Sequence, residues 1–413
     1  QSARADLNST IKEGGRASTS QARGRTRAAL VVSEIAISLT LLLGAGLLLR
    51  SFVNLQRVTG GFSTPPGHIL TMLISPGSRK YNDAVTGLAF YDEVLRRARA
   101  VPGVETAAVT NSLPPDRQGD ADSFEVEGHP LAPGELNPII SDVTAGPDFF
   151  RTLGIPLVKG RYFTDHDNQA SAPVMIVSEG FARRFLPNES ALGKRVRYGG
   201  AWMEVVGVVG NVKYLGLTVD TDPAIYMPFA QNYNARMYLA VSSPGDAAQL
   251  TAALRRNIQS IDPDVTLAQI STMEQALALS VSQPRFNTML LALFAGIALL
   301  LASVGIYGLI AYSVAQRTHE IGVRMALGAA RADVVRMVVR QGATLAAIGI
   351  VLGLGGAFAL TRLLKTMLFG IGVTDSLTFA AAPLGMMLVV LLATFVPALR
   401  ATRISPVVAL RYE

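Results

Sequence analysis

Few side chains in this sequence are placed to do acid–base or metal chemistry. None of the 413 residues is cysteine, which excludes thiolate metal sites and a disulfide framework. The histidines His68, His129, His166 and His319 are scattered without ligand spacing. Asp165-His166-Asp167 sets metal-ligand types side by side, but neighbours in an extended chain point to opposite faces, so a solvated loop is expected. Asp116, Gly119, Asp120 and Asp122 are arranged like the start of a calcium loop and lack its bidentate glutamate. Asn188-Glu189-Ser190 fits a glycosylation acceptor, a pattern short enough to recur by chance. No G-x-x-x-x-G-K-S/T run occurs, so the sequence holds no P-loop for nucleotide hydrolysis. Without a nucleophile–base pairing or a carboxylate pair, it reads as a non-enzyme with no catalytic, cofactor-binding or metal residues of its own.

Two stretches could do work of another kind. Glu34 sits inside an apolar run, and a carboxylate at membrane depth is a functional candidate by default. Its place near one end of that run also lets it snorkel or pair with an arginine. The second stretch, His319 to Gly342, sets charges and small residues between two long apolar runs. Glu320 and Arg324 are four apart with the acid first, the favourable order for a helical surface pair of about 0.2–0.5 kcal/mol. Gly322, Ala326, Gly328, Ala329 and Ala330 carry little side chain and would let another surface approach the backbone, with Val323, Met325 and Leu327 as apolar contacts. Val334, Val335, Val338 and Val339, interleaved with Arg336 and Arg340, make an amphipathic lead-in to the next run. Two readings fit this pattern: a docking surface for a partner, and an ordinary basic loop.

The elements that must hold these stretches are membrane spans. Hydrophobic residues make up 50% of the chain and the mean hydropathy is +0.35, with charge-poor blocks alternating with ordinary globular sequence. A bilayer core of about 30 Å takes roughly 20 mainly apolar helical residues. Four runs meet that length: 28–49, 288–314, 343–360 and 379–399. The first is preceded by a polar segment and is too long for the apolar part of a signal peptide, so it reads as a retained span. The net charge of +7 comes from arginines clustered beside the apolar blocks, as in a membrane protein and unlike a nucleic-acid-binding surface.

Arg4, Lys12, Arg16, Arg23, Arg25 and Arg27 precede the first run. Arg317, Arg324, Arg331, Arg336 and Arg340 lie between the second and third, and Arg400, Arg403 and Arg411 follow the fourth. The positive-inside rule puts all three groups in the cytoplasm; Arg362 and Lys365 oppose it weakly. The expected order is a cytoplasmic segment 1–27, an outer domain 50–287 after the first span, a cytoplasmic bridge 315–342, an outer loop 361–378 and a cytoplasmic tail 400–413. Residues 47–55 and 280–287 are expected to extend the first two spans outward as stalks. Gly349, Gly353, Gly355 and Gly356, with Gly44 and Gly46, allow close helix contact. That contact is expected against spans of a sister subunit.

The outer segment reads as α+β. His68–Ile74, Phe90–Ala100 and Val104–Thr110 form a strand–helix–strand series that returns as Ala235–Ser243, Asp246–Ile261 and Asp264–Ile270. Two such units fit packed mixed sheets. The part between them, including Pro173–Ser178 and Met203–Val212, reads as an inserted, more β-rich subdomain. The fold class is an α-helical membrane protein with four transmembrane helices, one before and three after a large α+β domain of two lobes.

Glu320 to Ala329, EIGVRMALGA, closely resembles the coupling segment of MacB/FtsX-type ABC transporter permeases. Asp148–Asp167, DFFRTLGIPLVKGRYFTDHD, and Pro173–Val196 are similar to the corresponding runs of the MacB-type periplasmic core. The resemblance spans essentially the whole chain. It implies a bacterial inner-membrane permease with porter-like and sabre-like periplasmic lobes. It also implies a coupling helix, made of Glu320, Gly322, Arg324, Met325, Ala326, Leu327, Gly328 and Ala329, seated on a separate cytoplasmic ABC ATPase that uses the ATP. In that family hydrolysis moves the periplasmic domains through long helices, a mechanotransmission, and does not carry substrate through a central pore. Arg4–Lys12 aligns without gaps on Arg403–Arg411, as a tandem duplication would leave. With its initial Gln1, the chain therefore resembles the C-terminal half of a duplicated, ADOP-type acidobacterial permease.

The implied partners are the ATPase, a sister permease half or second permease, a periplasmic adaptor or outer-membrane channel, and membrane lipids, but no nucleic acid. The implied function is export or efflux. The alternative is an FtsX-like signalling scaffold that activates a cell-wall hydrolase, which the size of the outer segment disfavours because FtsX-type outer domains are smaller. A membrane-tethered sensor or enzyme comes third, for want of a catalytic constellation.

Overall fold

The computed structural model describes residues 6–402, apart from 59, 78, 116–120, 130–137, 215, 218–222, 366–367 and 373. Asp116, Gly119, Asp120, Arg4 and the tail from Arg403 thus lie outside the described residues. The chain divides into two units, residues 1–56 with 283–413 and residues 57–282. It opens with helix α1 (Asp6–Gln56), which overruns the first apolar run at both ends.

The outer unit starts with β1 (Ile69–Pro76), α2 (Ala84–Arg99) and β2 (Thr106–Thr110). There follow β3 (Ala121–Val126), β4 (Ile139–Ala145), α3 (Phe149–Leu153), β5 (Leu157–Gly160) and β6 (Val174–Ser178). Next come α4 (Glu179–Phe185), β7 (Arg195–Tyr198), β8 (Ala201–Val209) and β9 (Ile225–Pro228). The unit closes with β10 (Met237–Ser242), α5 (Ala247–Gln259), β11 (Val265–Thr272) and α6 (Met273–Ser280).

β10 pairs antiparallel with both β1 and β2, and β11 pairs antiparallel with β1, giving the order β11-β1-β10-β2. The two β-α-β series therefore do not build mixed sheets of their own. Each leaves a one-strand gap between its parallel strands, and a strand of the other fills it, the split β-α-β arrangement. Successive side chains of these strands alternate between two covered faces. Leu70, Met72, Ile74, Val109, Leu239 and Val241 share a core with the apolar faces of α2 and α5. Ile69, Ala108 and Ala240 belong to a second core with α3 and α6. Both faces are covered, which is why these strands read as nearly continuous apolar runs.

The inserted part has a core of its own around Phe124, Met175, Val177, Phe181, Val196 and Val205. It joins the sheet through β4, which pairs antiparallel with β2 and β3 and parallel with β9. Loop residues 161–168 correct one expectation. Asp165 and His166 are exposed, but Asp167 is buried and accepts two hydrogen bonds from Arg161, at 2.7 and 2.8 Å, and one from the Thr164 amide at 2.8 Å. Burial pushes the Asp167 carboxyl up, yet the Arg161 and Thr164 bonds outweigh it and hold it below the usual carboxylate range.

A folded-state value below the unfolded one contributes stability that is complete above the unfolded pKa and lost as pH falls through the folded one. Arg161→Met is expected to lower the stability of the chain by about 1.5–3 kcal/mol at neutral pH. It should also flatten the acid limb of a thermal-denaturation profile. An unchanged acid limb would mean that the pair is not what holds this carboxylate ionised.

The remaining helices are α7 (Ser282–Gln316), α8 (Thr318–Ala326), α9 (Arg331–Leu364) and α10 (Ser376–Ala401). Segments of α1, α7, α9 and α10 are long and apolar enough to cross a membrane: Arg25–Gln56, Ser282–Gln316, Arg331–Leu363 and Ser376–Ala401. Ile35, Leu39 and Leu43 of α1 share a buried core with Ala346 and Ala357 of α9 and with Met386 and Val390 of α10.

Gly349, Gly353 and Gly356 of α9 pack within this chain, not against a sister subunit as expected. A Cβ on Gly349 would lie 2.7 Å from Ile35 Cβ, and one on Gly353 would lie 2.8 Å from the Ala36 carbonyl. Here α1 and α9 meet nearly backbone to backbone, a contact only small residues permit. The Thr40 hydroxyl lies 3.1 Å from the Gly353 carbonyl in the same seam. Gly46 of α1 faces Thr378 of α10, while Gly355 has nothing within 4 Å. Asp375 caps α10 by accepting from the Thr378 amide at 3.0 Å, and it also pairs with Arg50 of α1.

Candidate functional site

The bridge between α7 and α9 is a helix and a tight turn. α8 ends in a Schellman arrangement, with the Ala329 amide donating to the Arg324 carbonyl at 3.0 Å and the Gly328 amide to the Met325 carbonyl at 3.2 Å. Gly328 takes φ +98, a left-handed conformation that side chains rarely adopt. Two residues on, the Asp333 carboxylate accepts from the Ala330 amide at 3.2 Å, and the Asp333 amide donates back to the Ala330 carbonyl at 3.0 Å. The acid also stands in the first turn of α9, where it complements the helix dipole. Both helix ends at the turn are thereby capped.

The inner side of α8 is anchored. Ile321 is buried with Val334 of α9 and Ala401 of α10, and Val314, Met325 and Met337 pack around them. Arg324 donates to the Met337 sulfur at 3.4 Å and pairs with Glu320 at 2.6 Å, so the expected four-apart pair forms.

The expected coupling residues divide by orientation. Gly322 is buried, so its lack of a side chain serves packing within the chain, not the approach of another surface. Met325 and Ala329 are half-buried, whereas Glu320, Arg324, Ala326, Leu327 and Gly328 are exposed. Leu327 stands out, with 84% of its surface exposed at the helix end. That Ile321, Val334 and Ala401 meet was not legible in the sequence, because they lie on three different helices and no local period links them. Asp333 caps α9 from three residues beyond its N-cap Ala330, and because an alanine there lacks the hydroxyl of a capping box, the sequence did not announce it.

Glu34 does not pair with an arginine. Among the described residues no ion pair or side-chain hydrogen bond involves it, and its Oε2 would lie 2.3 Å from a Cβ on Gly305 of α7. Arg27, the nearest candidate in sequence, lies over the Tyr312 ring at 4.4 Å. The preference of guanidinium for an aromatic face near the membrane boundary accounts for that choice. No group of three or more metal-ligand types occurs among the described residues.

A family model described as MacB-like periplasmic core domain matches residues 28–257, and one described as FtsX-like permease C-terminal matches residues 292–406. The chain is 26% identical over 272 residues to the uncharacterized ABC transporter permease YknZ of Bacillus subtilis, a match covering 64% of this chain and 68% of that protein. It is also 26% identical over 269 residues to the macrolide export ATP-binding/permease protein MacB of Marinobacter nauticus, covering 62% of this chain and 41% of that protein. The chain thus matches less than half the length of that MacB relative. A crystal structure of the periplasmic region of MacB from Actinobacillus actinomycetemcomitans covers 54% of this chain at 15% identity, with a TM-score of 0.36.

The periplasmic-core match alone spans more than half of the sequence, and the FtsX-like match takes in α8 and its turn. With four apolar helices and an α+β outer unit to go with them, the chain belongs to the MacB/FtsX-type ABC transporter permeases, inner-membrane proteins with a periplasmic domain.

Proposed function

We propose that the chain transmits ATP-driven motion from a separate cytoplasmic ABC ATPase to its periplasmic domain, and that the motion serves export. The observation that carries this reading is Leu327, an exposed leucine held on a turn whose two helix ends are both capped. A leucine left in water forgoes about 1.5–3 kcal/mol that burial would release. Seating it in a partner's groove would recover that energy, and the anchored α8 would pass a push directly to α9 and α10.

The relative named as a macrolide exporter carries ATP binding and permease in one protein. For this chain the partners would be an ABC ATPase, a sister permease half or second permease, and a periplasmic adaptor.

The test is reconstitution of the full chain in liposomes with the ABC ATPase that co-purifies with it. Hydrolysis should rise severalfold when the chain is present; equal rates with and without the chain would remove the coupling role. A pull-down separates the two purposes. A co-purifying adaptor or outer-membrane channel supports export, and a cell-wall hydrolase supports signalling instead.

A further inference from the structure

The cytoplasmic ends of α9 and α10 enclose a groove of about 680 Å³ that no part of the described chain covers. Ala332, Val335 and Val339 form its α9 wall, and Leu391, Leu392, Phe395 and Leu399 its α10 wall. Leu392 is 61% exposed and Phe395 47%. One charged side chain, Arg336, lines this otherwise apolar trough, and Arg340 follows one helical turn on along the same face. Neither guanidinium has a carboxylate partner among the described residues. α10 ends and α9 begins at the cytoplasmic side, so the groove runs from the interface into the inner leaflet.

We propose that this groove is a binding site for an anionic phospholipid, with the phosphate at Arg336 and Arg340 and an acyl chain against Leu391, Leu392 and Phe395. Charge decides between the possible occupants. An apolar helix laid in the groove would shut two unpaired guanidiniums away from water, at a cost of several kcal/mol. A lipid phosphate neutralises them, and basic pockets between spans on the cytoplasmic side suit such headgroups. A zwitterionic lipid offers the same chain without the net charge. The lipid would sit one to two turns from the α8–α9 turn and brace the helix that receives the push.

Native mass spectrometry of the purified full chain, incubated with equal amounts of palmitoyl-oleoyl phosphatidylglycerol and phosphatidylcholine, tests this. The chain should retain phosphatidylglycerol in preference by about thirtyfold, the scale set by two basic side chains at a membrane surface. Arg336→Gln with Arg340→Gln should reduce the preference to near unity. Leu392→Trp, which fills the trough and leaves both arginines, should lower retention of both lipids. Arg317→Gln, a charge change outside the groove, should leave the preference intact.

An undiminished preference in the double variant overturns the proposal, as does an equal loss in Arg317→Gln, which would make the effect one of bulk charge. Since the chain has no cysteine, a single Val335→Cys reports a protein occupant directly. Disulfide-linked dimers of that variant in native membranes would assign the groove to a second copy and sink the lipid site.

Discussion

Leu327→Asp is expected to lower the ATPase retained by the purified chain by about thirtyfold or more. The figure corresponds to an interface anchor worth at least about 2 kcal/mol, the usual threshold for a dominant contact. The change puts a charge where an apolar side chain is 84% exposed. It breaks no hydrogen bond, since the turn is held by backbone amides and by Asp333. Insertion and melting temperature should therefore match the parent within error. Gly328→Trp would be a poorer probe, because φ +98 strains any side chain there and the turn itself would shift. If Leu327→Asp keeps its ATPase at full yield, the exposed leucine is not the contact and the turn does no docking.

Gly353→Leu is expected to destabilise the membrane unit strongly, by about 3 kcal/mol or more. A Cβ at this position meets a backbone carbonyl, that of Ala36 at 2.8 Å, and the Cβ of Leu39 at 3.0 Å. Neither can swing aside as a side-chain tip could, so α1 and α9 must separate along the seam that carries Ile35 and Leu39. Overpacking of a well-filled contact typically costs 1–3 kcal/mol, and a four-carbon side chain lies at or beyond the upper end of that range.

Gly355→Leu is the matched control. It lies two residues away in the same helix, with nothing within 4 Å, and replaces glycine by a better helix former. Thermal unfolding in detergent should separate the two variants by 10 °C or so, with Gly355→Leu at or slightly above the parent. Equal melting temperatures would mean that the α1–α9 seam is loose.

Much of this arrangement is legible in the order of residue types, because membranes impose length and charge rules that a single sequence displays. The four apolar runs, the arginines beside them and the Glu320–Arg324 spacing need no partner to be read. Contacts that join distant segments were not legible. The glycines of α9 announced close packing but not its partner, since the sequence of a seam is the same whether α1 or a sister helix fills it. The two β-α-β series were visible, but their interleaving depends on long-range pairing of β10 between β1 and β2, which no local pattern encodes.

Asp167 departs from the solvated loop that its sequence suggests for a related reason. Its neighbours Asp165 and His166 do face solvent, but a polar run says nothing about the arginine six residues upstream that folds back on one of its members. The arginine-pairing alternative for Glu34 does not hold for a similar reason, since Arg27 lies over the Tyr312 ring of α7.

A photo-activated crosslinker placed at position 327 in living cells tests the central claim most directly. Capture of a protein that mass spectrometry identifies as carrying a P-loop ABC ATPase domain, and its loss when the probe is moved to the buried Ile321, is the predicted result. Capture of a periplasmic protein at position 327, or of no ATPase at all, would contradict it.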